Sequence, residues 1–370
     1  MVGDGRLVFT AQQAGRRTPG WPHAGRAGNP TGHVGAAARH LRYHPPMIPD
    51  PLAALGGRRI GAHLPLGGGM VKAAQRAREI GATAIQVFAD NPTAWRRRSE
   101  PPAELDAFRA RLAALDIAPL ATHAAYLVNL AGPDVTFWER SIGVLAAELR
   151  MGTRYGAAFV NVHIGSHRGT GLEEGRRRLA AGLRRVFDEV PVGDGAPLLV
   201  LENSAGGGDG MGATVDELEA ILEAIAAAGA DAQRVAFCLD TAHLWGAGHE
   251  ISHAEVIDAL LEEFDRRLTR ERLAMIHLND SKAACGSHLD RHQHIGGGNI
   301  GPDGLRHLLR HPRLAGVPFF LETPGMEDGY DALNMERVRS LLAGRPLPDL
   351  SPAELSLKGS RASAAPAGGG

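Results

Sequence analysis

Cysteine is nearly absent from this 370-residue chain: Cys238 and Cys285 are the only two, too far apart for a C-x-x-C pair. A disulfide framework is excluded, and so is a paired-thiolate zinc site. The expected roles are a buried strand residue for Cys238 and a loop residue for Cys285. A charge excess is also missing. The formal net charge is −1, so the chain lacks the overall basic field by which non-specific nucleic-acid binders hold polyanions. Any such partner must be held locally, and Arg96, Arg97, Arg98, Arg168, Lys282 and Arg291 fall in loops that could do so. No apolar run approaches the roughly 18 residues of a membrane span, and the first thirty residues lack the apolar stretch of a signal peptide. A cytoplasmic protein is expected. What is present is 44% hydrophobic and 22% charged residues, an ordinary globular balance sufficient for a sizeable core.

Residues 1–56 are rich in Gly, Ala, Pro and Arg, carry six arginines against Asp4 and Asp50, and have no sustained period. That composition predicts a disordered basic extension. A solvated extension, or a true start at Met47, is favoured over a DNA-contacting arm or a transit peptide. A frayed tail is expected over 351–370. Between them, an apolar strand-like segment followed by an amphipathic stretch recurs eight times. The strands are expected at 59–64, 84–89, 120–126, 159–164, 198–203, 235–240, 275–280 and 318–323, with helices such as 104–116, 173–187 and 254–268. Eight β-then-α units imply parallel strands covered on both faces. The predicted fold is α/β, a (β/α)8 TIM barrel over 58–343, since such a barrel takes about 250 residues.

In this fold the C-terminal strand ends form the active-site face. Strands three to eight deliver His123, His163, Glu202, Asp240 with His243, His277 and Glu322 to that face, and the seventh loop adds Asp290 and His292. At i and i+2 in extended backbone, those last two point the same way. One buried histidine is more commonly bonded to a main-chain carbonyl than to a metal. Nine such groups in one basin, four of them carboxylates, would each cost several kcal/mol if left unpaired. The other twelve of the 17 histidines, among them His40, His44, His249, His288 and His311, fall mostly in tails, loops or helices. His63 and His294 stand near the predicted mouth as possible donors to the ligands. Mixed imidazole and carboxylate ligands suit zinc, and also manganese or iron. Nine ligands exceed the need of one or two ions, whereas three divalent ions fit if a carboxylate bridges. Their charge of +6 would outweigh the −4 of the carboxylates and make the mouth a polyanion site.

The segments HAAYLVNL (123–130), HIGSH (163–167), LENSAGGG (201–208), CLDTAHLWGAG (238–248), HLNDSKAACGSHLDRHQHIGGGNIG (277–301) and LETP (321–324) together resemble the endonuclease IV family of apurinic/apyrimidinic (AP) endonucleases, over residues 58 to about 343. The resemblance implies a barrel with three Zn2+: one on His123, His163 and Glu202, a second on Glu202, Asp240, His277 and Glu322, and a third on His243, Asp290 and His292. Glu202 would bridge the first two and carry the catalytic assignment. Implied as well are hydrolysis of the phosphodiester 5′ to an abasic site in duplex DNA, leaving a 3′-hydroxyl, removal of blocked 3′ ends, and location in the cytoplasm on the nucleoid DNA. Tyr126 matches a position that contacts DNA near the lesion, and loop 91–98 matches one that enters the minor groove, with Trp95, Arg96 and Arg291 as further DNA contacts. The chain departs from the family at Thr93, where some relatives carry an arginine wedge, at Gly297, where a glutamate stands between two glycines, and at Ile164, where proline follows the histidine.

Two other classes compete. Sugar isomerases and epimerases place His, Asp and Glu at the same strand ends, so fold alone does not exclude them. They need about four or five ligands, however, and have no use for a third site on His243, Asp290 and His292. A non-catalytic DNA-binding module would need a basic face, which this composition lacks. A DNA-binding mouth on a closed barrel works as a monomer, the expected state.

Overall fold

The computed structural model describes residues 48–357. Eight strands close into a parallel barrel: β1 (Ile60–His63), β2 (Ala84–Phe88), β3 (Leu120–His123), β4 (Phe159–His163), β5 (Leu198–Glu202), β6 (Val235–Asp240), β7 (Leu273–His277) and, after an insertion, β10 (Phe319–Leu321). The closing pair is β1 with β10. The insertion is a two-residue antiparallel ribbon, β8 (Asp280–Ser281) with β9 (His292–Gln293). Around the barrel run α2 (Met70–Glu79), α3 (Leu105–Ala114), α4 (Val135–Tyr155), α5 (Leu172–Glu189), α6 (Val215–Ala227), α8 (Ala254–Leu268), α9 (Gly301–Arg310) and α10 (Tyr330–Ala343), with the short α1 (Pro51–Ala54), α7 (Thr241–Ala247) and α11 (Pro352–Leu355) as additions.

Two apolar layers hold this arrangement. Outward strand residues such as Val160, Leu199, Leu201, Phe237 and Phe319 pack beneath the amphipathic helix faces. Inward residues Ala84, Ala121, Val200, Ala236, Cys238, Met275 and Phe320 fill the lower barrel. Because side chains alternate at period two, each inward apolar residue is followed two positions later by an inward residue nearer the C-terminal rim: Ala121 by His123, Val200 by Glu202, Cys238 by Asp240, Met275 by His277. Parallel register then sets these neighbours side by side, with His163 beside Glu202 and Asp240 beside His277.

Helix ends follow local chemistry. Asp134 and Thr214 cap α4 and α6 through side-chain oxygens that accept from Phe137 N and Glu217 N, and Gly156 ends α4 with φ at +68°. The expected strands differ mainly at their ends. The third stops at His123 rather than 126, where the chain turns so that Tyr126 N donates to Pro92 O at 3.1 Å. The seventh runs from Leu273 to His277, two residues earlier than expected at its start.

Residues 1–47, most of the expected extension, lie outside the described residues. Its last part is structured. Asp50 caps the single turn of α1, Leu55 is fully buried, and Arg78 donates to the carbonyls of Ile48 and Pro49. Asp before Pro is a start signal for such a turn, which overall composition obscured. The first seven residues of the expected C-terminal tail are structured too: Ser351 and Glu354 form a capping box on α11. Residues 358–370 lie outside the described residues.

Gly61 has no room for a side chain, since a Cβ would run into the Ala84 carbonyl of β2. Gly61→Ala is expected to destabilise the barrel by about 1–3 kcal/mol, the usual cost of overpacking, read as a lowered midpoint in urea unfolding.

Candidate metal centre and DNA-facing loops

All nine donors foreseen at the strand ends converge at the C-terminal mouth. Glu202, at the end of β5, is 1% exposed and faces two ways. Its Oε2 lies 3.5 Å from His123 Nε2 and 3.6 Å from His163 Nε2, while its Oε1 lies 3.2 Å from His277 Nδ1. Three overlapping groups offer ligand atoms within 4.8 Å of one another: His123, His163 and Glu202; Glu202, Asp240, His277 and Glu322; and Asp240, His243 and His292. Asp290 closes the third, 3.4 Å from His243 Nε2 and 3.1 Å from His292 Nε2. The geometry therefore adds Asp240 to the trio grouped by sequence. His292 lies on β9, and the extended backbone there keeps it beside Asp290.

Asp240 explains the CLDTAH string. It ends β6 and caps α7, with Oδ1 accepting from His243 N at 2.9 Å. Oδ2 is left toward Asn279 Nδ2 at 2.7 Å and His292 Nε2 at 3.6 Å. A strand-to-helix turn of this kind fixes a carboxylate and an imidazole three residues apart on one side of the mouth.

Main-chain carbonyls orient three of the imidazoles. His123 Nδ1 donates to Ala124 O at 2.7 Å, His243 Nδ1 to Asn203 O at 2.9 Å and His292 Nδ1 to Glu322 O at 2.8 Å. Each bond fixes the tautomer and turns the Nε2 lone pair into the mouth. Sequence reasoning passed over three buried amides around the carboxylates: Asn161 donates to Glu202 Oε2 at 2.5 Å, Asn279 donates to Asp240 Oδ2, and Asn203 holds the Asp240 main chain by accepting from its N–H at 2.6 Å. Asn161 was open to discovery, because it stands two residues before His163 on the inward face. Asn279, two residues after His277, carries the same period, whereas Asn203, directly after Glu202, does not.

The donor set fits metal ions. Glu202 Oε1, His277 Nδ1, Asp290 Oδ1 and His292 Nε2 are buried, face one another and have no hydrogen-bond partner. Buried polar atoms left this way are rare without something to join them. The charges have responded. Burial disfavours the imidazolium of His292, but Asp290 and Asp240 outweigh it and hold its pKa up at about 10. His277 and His243 are likewise raised well above the ordinary value against their burial. Burial works against ionised Glu202, yet His277, His163 and His123 hold its carboxyl well below the usual range.

The DNA-facing residues foreseen from sequence fare differently. Tyr126 lines the mouth, its ring stacked on His163 with centroids 6.1 Å apart. Arg96 and Arg291 are exposed. Trp95 is packed rather than poised: it is half-buried against the core, edge-on to Phe137 at 5.5 Å and under Arg140. Thr93 itself bonds to Asn91 within its own loop. Arg97 is an anchor, its side chain 8% exposed and its guanidinium 3.0 Å from buried Glu148. Arg98 pairs with Asp90. Of the two remaining histidines, His63 Nδ1 lies 3.2 Å from Glu322 Oε1, whereas His294 bonds to Asn334 and the Glu354 carbonyl, away from the donors.

Two of the three glycines at 296–298 have separate causes. A Cβ at Gly298 would strike the Ser281 carbonyl and Asp280, whose carboxylate accepts from Gly298 N and Ile300 N. At Gly297 a Cβ would meet Leu350. The C-terminal segment lies over this loop, with Gln293 donating to Leu355 O and Lys282 to Leu357 O. The space that would take the family's glutamate is filled by that segment, and Lys282 is committed to it rather than to a polyanion.

A family model described as a xylose isomerase-like TIM barrel matches residues 74–342. The Methanoculleus marisnigri protein named "Probable endonuclease 4" is 40% identical over 76% of this chain and 98% of its own length. The chain belongs to the endonuclease IV family. A Halothermothrix orenii protein of the same name is 36% identical over 75% of the chain and 99% of its own length. Among solved structures, endonuclease IV from Thermus thermophilus is similar at a TM-score of 0.67 and 37% identity, with 77% of this chain and 99% of that one covered. A D-psicose 3-epimerase is similar at a TM-score of 0.54 and 15% identity, which is a likeness of fold alone.

Two outcomes follow for this endonuclease IV family member. Since His292, His277 and His243 carry protons near neutral pH in the metal-free protein, zinc loading at pH 7 should release protons, and apparent affinity should fall as pH falls. Calorimetry in buffers of different ionisation enthalpy reads the release directly. Gly297→Glu should lever Leu350 away, so that proteolysis within 347–357 accelerates while the barrel's thermal midpoint hardly moves.

Proposed function

We propose that this protein is a DNA-repair endonuclease that hydrolyses the phosphodiester 5′ to abasic sites in duplex DNA, leaving a 3′-hydroxyl, and that it also clears blocked 3′ ends. The observation that carries this reading is the convergence of nine imidazole and carboxylate donors at the mouth of a barrel whose relatives are named endonuclease 4. Three Zn2+, with Mn2+ or Fe2+ as alternatives at some sites, would be held by His123, His163 and Glu202; by Glu202, Asp240, His277 and Glu322; and by His243, Asp290 and His292, with Asp240 also in reach of the last. When bound, such ions supply Lewis acidity toward phosphoryl oxygens and acidify water at neutral pH.

The protein's own groups have four tasks in this mechanism. Glu202 divides its two oxygens between donor groups and so ties them into one centre. The carbonyls of Ala124, Asn203 and Glu322 keep three imidazoles aimed inward without reorganisation, the condition for electrostatic catalysis. Tyr126, at the rim, stays a neutral phenol because burial first, and the carboxylates Glu322, Glu202 and Asp290 next, oppose its ionisation; it can donate to a substrate oxygen. Exposed Arg291, next to Asp290, and exposed Arg96, on the loop after β2, would serve as phosphate contacts. No protein nucleophile is needed. Cys238 lies beneath the donors, fully buried, with its thiol pushed up to about 12 by burial, so it stays protonated and inert. The protein would work as a monomer in the cytoplasm, on damaged DNA.

Sugar epimerisation, the competing chemistry on this fold, leaves His243, Asp290 and His292 without a role. Incision of a duplex bearing one abasic-site analogue decides between them. Cleavage 5′ to the lesion, lost with chelator, restored with zinc and absent on undamaged duplex, is expected; no cleavage by folded, metal-loaded protein would overturn the reading. Glu202→Gln should abolish incision and lose at least one metal equivalent.

A further inference from the structure

Strands β1 and β2 are the two barrel strands that give the mouth none of its nine donors, yet β2 sends Gln86 into it. Gln86 is completely buried, and its amide touches two of the donors at once. Its Nε2 donates to Glu322 Oε1 at 2.7 Å, and its Oε1 faces His277 Nε2 at 3.1 Å. A carbonyl oxygen can only accept, so His277 must carry its proton on Nε2. Nδ1 faces Glu202 Oε1 at 3.2 Å, Glu322 Oε2 at 3.5 Å and Asp240 Oδ2 at 3.9 Å, and it is this nitrogen that would give up its proton to an ion. Nδ1 has no other partner.

His277 is thus the reverse of its neighbours. His123, His243 and His292 are oriented by main-chain carbonyls at Nδ1, which no substitution removes, whereas His277 depends on a side chain. The same amide commits Glu322 Oε1, with His63 Nδ1 from β1 beside both, 3.0 Å from Gln86 Nε2 and 3.2 Å from Glu322 Oε1, and leaves Oε2 as the free oxygen. We propose that Gln86 is the positioning residue for the ion held by Glu202, Asp240, His277 and Glu322: one amide sets the His277 tautomer and selects which Glu322 oxygen is offered. This rests on the metal reading above and assigns Gln86 no contact with substrate.

Two measurements test it, and neither reads nuclease activity. In wild-type protein loaded with cadmium-113, scalar coupling should reach Nδ1 of His277 but Nε2 of His123 and His292; coupling to Nε2 of His277 overturns the proposal whatever any variant does. Gln86→Met keeps the side chain's length and removes both hydrogen bonds. It should weaken one metal equivalent by about 10–100-fold in chelator competition, the usual effect of losing such a partner, with the remaining equivalents bound as in wild type. Unchanged affinity throughout, or equal weakening of every equivalent together with a lowered unfolding midpoint of the metal-free protein, would reduce Gln86 to a packing residue and overturn it. A protein that passes both tests but leaves abasic DNA uncut overturns the proposed function and not the role of Gln86.

Discussion

Four carboxylates, Glu202, Asp240, Asp290 and Glu322, share one largely buried mouth with five imidazoles, and their mutual repulsion is the constraint on which the rest of the site depends. Like charges in a low-dielectric pocket cannot all remain ionised without compensating positive charge. In the metal-free protein that compensation comes from protons on His277, His243 and His292. Divalent ions would replace those protons with more concentrated charge on the same atoms. The mouth is therefore built around positive charge that the side chains do not permanently supply, and this is how a chain of net charge −1 can address a polyanion.

The barrel makes such a concentration possible because it handles the two ends of its interior differently. Small and apolar residues at the lower level, such as Ala84, Ala121 and Ala236, close the interior to water. One alternation higher, the same strands present donors. Between them, buried amides on Asn161, Asn279 and Gln86 each donate to one oxygen of Glu202, Asp240 and Glu322, and Asn203 accepts from Asp240 N. His123, His243, His292, Glu202, Asp240 and Glu322 are thus oriented by main-chain carbonyls just past strand ends or by a buried amide, and rigid elements hold a site more accurately than loops.

The rim is less uniform. Arg97 and Trp95, in a loop that looked free to meet DNA, are anchored on α4 through Glu148 and Phe137. Lys282 is taken up by the C-terminal segment. That leaves Tyr126, Arg96, Arg168 and Arg291 as the groups of this set open to the mouth or to solvent, so recognition falls on fewer side chains than the density of basic residues suggests.

The number of barrel strands, their parallel order, the family and the nine side chains that the mouth brings together were legible in the order of the amino acids. Each of these is local: a period of two places a donor on the inward face, a short apolar run marks a strand, and a motif keeps its residues together. Strand ends were legible only to within a few residues, and the turn at 50–55 was hidden in a segment whose average composition resembles disorder. Which donors share a group, with Asp240 drawn toward His292, and which basic side chains are spent on internal anchors emerge only once the barrel is assembled. Assembly also brings Gln86 onto Glu322 across 236 residues of chain. The physical reason is closure: a parallel barrel sets side by side residues whose registers depend on all eight strands at once, and no segment of sequence carries that information alone.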